Sequence, residues 1–392
     1  MRAALPVSGS LHKEEANVEK RDFGKTGARV TRLGFGAMRL PIEKGEDGKV
    51  SGLEEAAQVV RCGLQAGINY VDSAPMYCHH ESETAIGMAI QGLPRDSFYL
   101  STKYPLHGAC GECLRLRLEL SLRKMRTDYL DFYHFWGLGW DKFNRFVTND
   151  KGPLEAALKA KEEGLIRHIS FSSHDVPENV NKLIDTGHFE SMLVQYNLLD
   201  RKNASCLEHA HRAGLGTAVM GPVGGGRLGT ASEVIAEATG CPSTAEVALR
   251  FVWADPNVDM ALSGMENARM IQENVATAER AEPLSPQELA RIDALVEENR
   301  KLLDLPCTGC GYCTPCLKGV AIPDIFQFYQ WHEAFDLKGP ARKRYADLGH
   351  GWQEKKKPAS ECAECGECEE KCPQKIAIME RLKEAHKVLA AE

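Results

Sequence analysis

The chain has 392 residues, of which 43% are hydrophobic and 26% charged, and its 48 Lys and Arg against 55 Asp and Glu give a formal net charge of −7. That is the composition of a soluble globular protein of two or three domains, at roughly 150 residues each. The acidic balance gives no attraction to nucleic-acid phosphates or anionic lipid surfaces, and no stretch approaches the ~18 apolar residues of a membrane span.

Residues 1–20, with "SGSLHKEEANVEK", carry no periodicity and read as a flexible tail. From residue 21 to about residue 300 short β-rich runs alternate with amphipathic helical patterns. "RDFGKTGARVT" predicts a β-hairpin ahead of the first strand, capping the bottom of the fold. The strands expected next are "RLGFG", "INYVDSA", "FYLSTKYP", "YLDFYHFWG", "IRHISFSS", "MLVQYN", "GTAVMG" and "VDMALSG". Between them lie helical stretches such as "GLEEAAQVVRCGLQAG", "SETAIGMAIQG", "LRLRLELSLRKM" and "STAEVALRFVWAD". Eight β–α alternations with short turns imply parallel strands, wound open or closed as a barrel, and a count of eight favours the closed (β/α)8 form. No G-x-G-x-x-G follows the first strand, which argues against a Rossmann sheet. "SPQELARIDALVEENRKL" reads as a helix with a capping box, Ser285 with Glu288, and Pro286 in its first turn.

In such a barrel the chemistry sits where strands end and helices begin. Strand two ends in "VDSAPMY", with Asp72 and Tyr77, and strand three in "STKYP", with Lys103. A lysine inside a strand needs a partner, because burying a bare ammonium is costly. Asp72 supplies the opposite charge, and an ammonium beside Tyr77 is expected to lower its pKa toward that of a useful acid.

Residues 301–392 form a second domain. "CTGCGYCTPC" holds Cys307, Cys310, Cys313 and Cys316, and "CAECGECEEKCP" holds Cys362, Cys365, Cys368 and Cys372. The second run is C-x2-C-x2-C-x3-C-P, the spacing that gives three thiolates to one iron–sulfur cube and the fourth to another. Disulfides suit an exported chain, and this one shows no apolar secretory segment. Zinc would use pairs of C-x2-C. Two [4Fe-4S] clusters use all eight thiolates. In the interleaved pattern Cys307, Cys310, Cys313 and Cys372 hold one cube, and Cys316, Cys362, Cys365 and Cys368 the other; the two-residue spacing before Cys316 would also let the first run close on itself. Fourteen cysteines point to a reducing, oxygen-poor cytoplasm. The long interval between the runs, with helical stretches around "IPDIFQFYQWHEAF" and "PARKRYADLG", predicts a mostly α-helical dicluster, ferredoxin-like domain. The basic "ARKR" and "EKKK" groups read as a solvated face, or as a dock for a ferredoxin- or flavodoxin-type electron carrier.

Taken in order, "RLGFGAMRLP", "INYVDSAPMY", "STKYP", "TDYLDFY", "GLIRHISFSSHD", "VQYN", "GGGRL", "SGMENARMIQEN" and the two cysteine runs resemble an aldo-keto reductase with a C-terminal iron–sulfur extension. The resemblance covers nearly everything after residue 20. It implies that Tyr77 donates a proton to a substrate carbonyl while a nicotinamide delivers hydride, with Lys103 and Asp72 tuning the tyrosine. It also implies a nicotinamide site made by Ser172, Ser173, Gln195, Met220, Ser263, Gly264, Glu266, Glu273 and Asn274. The chain departs from the family there. Ser173 replaces an Asn, Met220 an aromatic, and Glu266 an Arg near the 2′-phosphate. A carboxylate at that point favours NADH over NADPH. On the fourth strand the family's His position is Trp136, and His134 lies one pleat deeper. A bulge would bring His134 beside Tyr77 as the electrophile; otherwise it is a packed core histidine. The resemblance leaves "YCHH" (Tyr77–His80) and "HGACGEC" (His107–Cys113) unplaced; the Cys110/Cys113 pair suits a metal, a redox disulfide or a relay of cluster electrons, or is a pair of ordinary loop cysteines. The expected function is an iron–sulfur oxidoreductase that reduces a small carbonyl compound, or a related one, with electrons from a nicotinamide, the clusters or both. The alternative is an electron-transfer or scaffold protein whose barrel has lost catalysis.

Overall fold

A computed structural model describes residues 18–391, apart from 46, 107–109, 281, 303–304, 306 and 308–310. It contains a closed barrel of eight parallel strands preceded by a hairpin, β1 (Lys20–Asp22) and β2 (Arg29–Thr31). The barrel starts with β3 (Leu33–Gly36), and a small antiparallel ladder, β4 (Glu43–Lys44) with β5 (Val50–Ser51), precedes α1 (Leu53–Gln65). It continues with β6 (Tyr70–Asp72), α2 (Ser82–Ala89), β7 (Tyr99–Pro105), α3 (Gly111–Met125) and β8 (Leu130–Trp136). The strands β9 (Ile166–Ser173), β10 (Ser191–Gln195), β11 (Gly216–Met220) and β12 (Met260–Gly264) complete it, with β12 pairing back onto β3. All eight expected strand segments are therefore strands, and the open-sheet alternative falls.

The hairpin plugs one end of the barrel. Phe23, fully buried, meets Phe132 edge-on with ring centroids 5.1 Å apart and packs in one cluster with Val30, Tyr70, Leu193 and Met260. Gly24 has φ +54, and a Cβ there would lie 2.3 Å from the Gly216 nitrogen, so the turn requires glycine. Lys25 N–H donates to the Gly214 carbonyl at 2.9 Å. The expected tail ends earlier than residue 20: Val18 is buried and Glu19 pairs with Arg32 at 3.1 Å.

The chain divides into two compact units, Met1–Tyr196 with Arg201–Met220 and Pro256–Ala281, and Asn197–Asp200 with Gly221–Asp255 and Glu282–Glu392. The second unit thus takes in chain segments before residue 300 as well as those after it. The helices Glu233–Thr239, Thr244–Ala254 and Pro286–Leu302 belong to the second unit. Polar ties explain this. Ser232 Oγ donates to the Phe335 carbonyl at 2.6 Å, the Asn299 amide donates to the Ala334 carbonyl at 3.2 Å, and Arg227 stacks over Trp331 at 4.4 Å. The capping box forms: Glu288 N–H donates to Ser285 Oγ at 3.2 Å, Ser285 N–H donates to Glu288 Oε2 at 2.8 Å, and Arg250 grips the same carboxylate. Beyond the first cysteine run the unit is helical, with Ile322–Glu333, Lys338–Ala346 and Ile378–Leu389. No helix among the described residues is long and apolar enough to cross a membrane.

Candidate active site

Period-two alternation on β7 turns Ser101 and Lys103 to one face and Thr102 and Tyr104 to the other. Lys103 is buried, and its Nζ lies 2.5 Å from Asp72 Oδ2 and 2.6 Å from the Ser73 carbonyl. Ser101, two residues earlier, donates its hydroxyl to Asp72 Oδ1 at 2.7 Å. Sequence reasoning missed Ser101, although its place two residues before Lys103 was the available signal. The Lys103 ammonium also lies 4.8 Å from the centroid of the half-buried Tyr77 ring. Burial works against that ammonium, but Asp72 and Tyr77 more than offset it and hold its pKa above the ordinary value.

Tyr77 corrects the expectation of a lowered pKa. Burial of the phenol is the largest influence and raises it; Lys103 pulls it down but does not prevail. At neutral pH the pair is therefore a protonated phenol beside a protonated amine. The loop after Tyr77 is strained: Cys78, His79 and His80 have φ +51, +57 and +73, a left-handed run that costs roughly 1–2 kcal/mol per residue. It is braced where His80 Nδ1 meets the Pro75 carbonyl at 3.1 Å and Cys78 Sγ lies 3.3 Å from the Met38 carbonyl. A concavity of about 530 Å³ opens beside this loop, lined by Met38, Leu40, Ile42 and Met76 with Lys44, Cys78, His79 and His80.

Trp136 packs edge-on against Tyr77, with ring centroids 5.6 Å apart. In the strand register it stands level with Pro105, and His134 level with Lys103. His134 is thus one pleat deeper. It is 1% exposed, and among the described residues neither ring nitrogen completes a hydrogen bond. Burial drives its pKa down to about 4, with Lys103 adding to the effect and Asp72 opposing it. The ladder from β7 through β8 to β9 is regular at this point, with no extra residue opposite His134.

The residues proposed for a nicotinamide are only partly open to one. Ser172 Oγ accepts from the Gly137 amide at 3.1 Å and keeps its own proton available for donation. Ser173 is committed, donating to the Leu138 carbonyl at 2.7 Å and accepting from the Asp175 amide at 3.1 Å. The half-buried Gln195 has a side-chain amide without a partner among the described residues, and Met220 is half-buried against the barrel core. Asn274 donates to Ser263 Oγ at 3.1 Å, and Glu273 pairs with Arg269. Glu266 lies 4.0 Å from Arg39, which borders Gly264; Arg39, in the loop after β3, escaped the sequence reading. The free hydroxyl of Ser172 and free amide of Gln195 fit a carboxamide, which presents one acceptor and two donors.

In the second unit two cavities are lined by cysteines. One is bordered by Cys313, Cys316, Cys362, Cys365 and Cys368, and the other by Cys307, Cys313 and Cys372. Each draws thiols from both runs. Cys310 lies outside the described residues. This donor set fits iron–sulfur clusters.

The profile of the aldo/keto reductase family matches residues 32–297, and that of a 4Fe-4S dicluster domain matches residues 306–377. L-galactose dehydrogenase of Arabidopsis thaliana is 25% identical over 73% of this chain and 96% of its own length. The oxidoreductase YqkF of Bacillus subtilis is 24% identical over 72% of this chain and 98% of its own. Among solved structures, the holo form of aldo-keto reductase AKR11C1 from Bacillus halodurans superposes with a TM-score of 0.61 at 25% identity, over 71% of this chain and 96% of that one. An aldo/keto reductase from Klebsiella pneumoniae in complex with NADP and acetate gives a TM-score of 0.58 at 27% identity, over 70% and 93%.

Proposed function

The chain belongs to the aldo/keto reductase family and carries a 4Fe-4S dicluster domain, and we propose that its barrel reduces the carbonyl of a small molecule with Tyr77 as the proton donor. The observation that carries this reading is the buried Lys103–Asp72 pair beneath Tyr77. A protonated phenol gives its proton to the carbonyl oxygen as that oxygen gains charge. The Lys103 ammonium then stabilises the phenolate left behind, at a distance where water does not screen it. Asp72, Ser101 and the Ser73 carbonyl keep that ammonium in place and in its charged form. Trp136 holds the phenol from the side, an edge-on contact worth ~0.5–1.5 kcal/mol. His134, neutral and one layer down, contributes packing.

Ser172, Gln195 and Met220 would hold a nicotinamide, with Ser263, Glu273 and Asn274 toward its adenosine, and that group when bound supplies hydride. The eight cysteines would hold two [4Fe-4S] clusters, which when bound pass single electrons. The concavity beside Tyr77, apolar at Met38, Leu40, Ile42 and Met76 and polar at Lys44, His79 and His80, suits a small aldehyde or ketone that carries polar groups. Glu266 favours NADH, because a phosphate beside a carboxylate forgoes a contact worth ~1–3 kcal/mol; with Arg39 close by, the preference falls at the lower end, roughly tenfold or less. Tighter binding of NADPH would overturn that preference.

The test is anaerobic turnover of a panel of aldehydes and ketones with NADH, in the wild type and in Tyr77→Phe. The expected result is turnover lost in the variant while nucleotide binding is kept. If neither nucleotide binds and no carbonyl is reduced, the electron-transfer scaffold reading takes over; the committed hydroxyl of Ser173 is the observation on its side.

A further inference from the structure

α3 begins three residues before the helical run read from the sequence, and this places two cysteines at its start. Cys110 is the N-cap residue, and its Sγ accepts from the Cys113 amide at 3.1 Å. Residues three apart at a helix start share one face, within reach of the Cα separations that disulfides span. Both thiols are half-exposed. The first of the two residues between them must be small: a Cβ on Gly111 would lie 2.5 Å from the Lys151 carbonyl, to which the Gly111 amide donates at 3.2 Å. The helix start is therefore clamped and holds the two sulfurs at a fixed spacing.

The second observation lies behind the pair. Tyr104 is 1% exposed, and its hydroxyl has no hydrogen-bond partner among the described residues. Leaving such a group orphaned costs ~1–3 kcal/mol. The groups within its electrostatic reach are Cys113, Cys110 and, with opposite effect, Arg117; burial first and then the two thiols push it up to about 12. A buried hydroxyl without an acceptor thus lies in the electrostatic neighbourhood of the two cysteines. The neighbouring Cys110 holds the Cys113 thiol above its ordinary value. Cys110 Sγ accepts the Cys113 amide at a helix N-terminus, the setting of an attacking sulfur, which leaves Cys113 as the resolving thiol.

We propose that Cys110 and Cys113 form a thiol–disulfide exchange site for the disulfides of low-molecular-weight thiols, separate from carbonyl reduction. The Cys110 thiolate attacks one sulfur of R–S–S–R; that bond breaks, a mixed disulfide forms and one RS− departs, to be protonated as RSH. Cys113 then loses its proton, displaces the second RS− and closes the Cys110–Cys113 disulfide. Two protein thiols are oxidised and one external disulfide is reduced to two thiols, so electrons and protons balance. The Tyr104 hydroxyl donates to the sulfur that carries charge during the exchange. A mononuclear metal would need more ligands than this pair supplies.

The test uses the anaerobic holoprotein in glutathione buffers of graded oxidised-to-reduced ratio, with acid quenching, alkylation and peptide mapping; cluster absorbance reports that the ligating cysteines are untouched. The Cys110–Cys113 disulfide is expected to form and reverse with the ratio, and limiting alkylation of the reduced wild type should favour Cys110 by about tenfold or more. Cys113→Ser should accumulate glutathione on Cys110, whereas Cys110→Ser should not accumulate it on Cys113. Tyr104→Phe, which removes one oxygen, should slow exchange about fivefold, the worth of one hydrogen bond. The absence of this disulfide at every ratio, equal alkylation of the two cysteines in the wild type, or one zinc per chain lost in Cys110→Ser would each overturn the proposal.

Discussion

Replacing Lys103 with Met tests the ion pair at the centre of the site. The two charged groups lie 2.5 Å apart, with side-chain exposures of 1% and 6%. Removing the ammonium leaves Asp72, among the described residues, with the Ser101 hydroxyl at 2.7 Å as its side-chain partner. Breaking one side of a buried pair costs ~3–5 kcal/mol, whereas replacing both sides with neutral groups is close to neutral. For a barrel of this size each kcal/mol moves the midpoint by roughly 2–4 °C, so Lys103→Met should melt ~10 °C lower. Asp72→Asn with Lys103→Met should recover most of that loss, giving a coupling of several kcal/mol. Anaerobic thermal unfolding followed by near-ultraviolet circular dichroism, with hydrogen exchange of the 99–105 segment as a local readout, measures both. All variants should be poor catalysts, so stability and turnover separate cleanly in the double variant. The reasoning is refuted if Lys103→Met melts with the wild type, or if the double variant is no more stable than the single one.

His134→Ala should cost ~2–4 kcal/mol through the cavity it leaves while retaining most turnover, and Tyr77→Phe should do the reverse; equal loss of activity in two folded variants would move His134 into the chemistry. Because burial lowers the folded pKa of His134 to about 4 from 6.5, the unfolded chain binds the extra proton. Stability should therefore fall as pH drops from 6.5 toward 4, by about 3 kcal/mol in full. Hydrogen exchange of residues 130–136 at stepped pH, compared with His134→Leu, checks this, since the Leu variant should lose that part of the slope. Cys372→Ser should disturb the spectroscopic signature of the cluster served by Cys307 and Cys313; a change confined to the cluster of Cys362, Cys365 and Cys368 would show that the runs do not interleave.

The strands were legible because short β-rich runs alternate with amphipathic helical stretches, and because parallel strands joined by helices leave few topologies open. Asp72 and Lys103 were legible as partners for the same reason: both lie at strand ends, and a buried ammonium demands a carboxylate. What escaped was whatever depends on the balance of opposing effects at one point. Tyr77 is close enough to Lys103 for its pKa to fall, yet desolvation of the phenol is the larger effect, and burial cannot be read from neighbours in the chain. Arg39 lies 227 positions before the Glu266 it approaches, so no local pattern announced it. The start of α3 was missed because Gly111 and Cys113 are weak helix formers, and the first turn is held instead by the Lys151 carbonyl and the Cys110 cap.

The plug formed by the first hairpin has a consequence for biosynthesis. Phe23 and Gly24 emerge from the ribosome early, yet their seat is made by Gly214 and Gly216. At ~5–20 residues per second the wait is about 10–40 s. Through that interval the aromatic face of the hairpin has no core to enter, and one end of the nascent barrel stands open. The hairpin thus waits for a seat made much later in the chain, and the time before closure is set by translation rather than by the chain's own search.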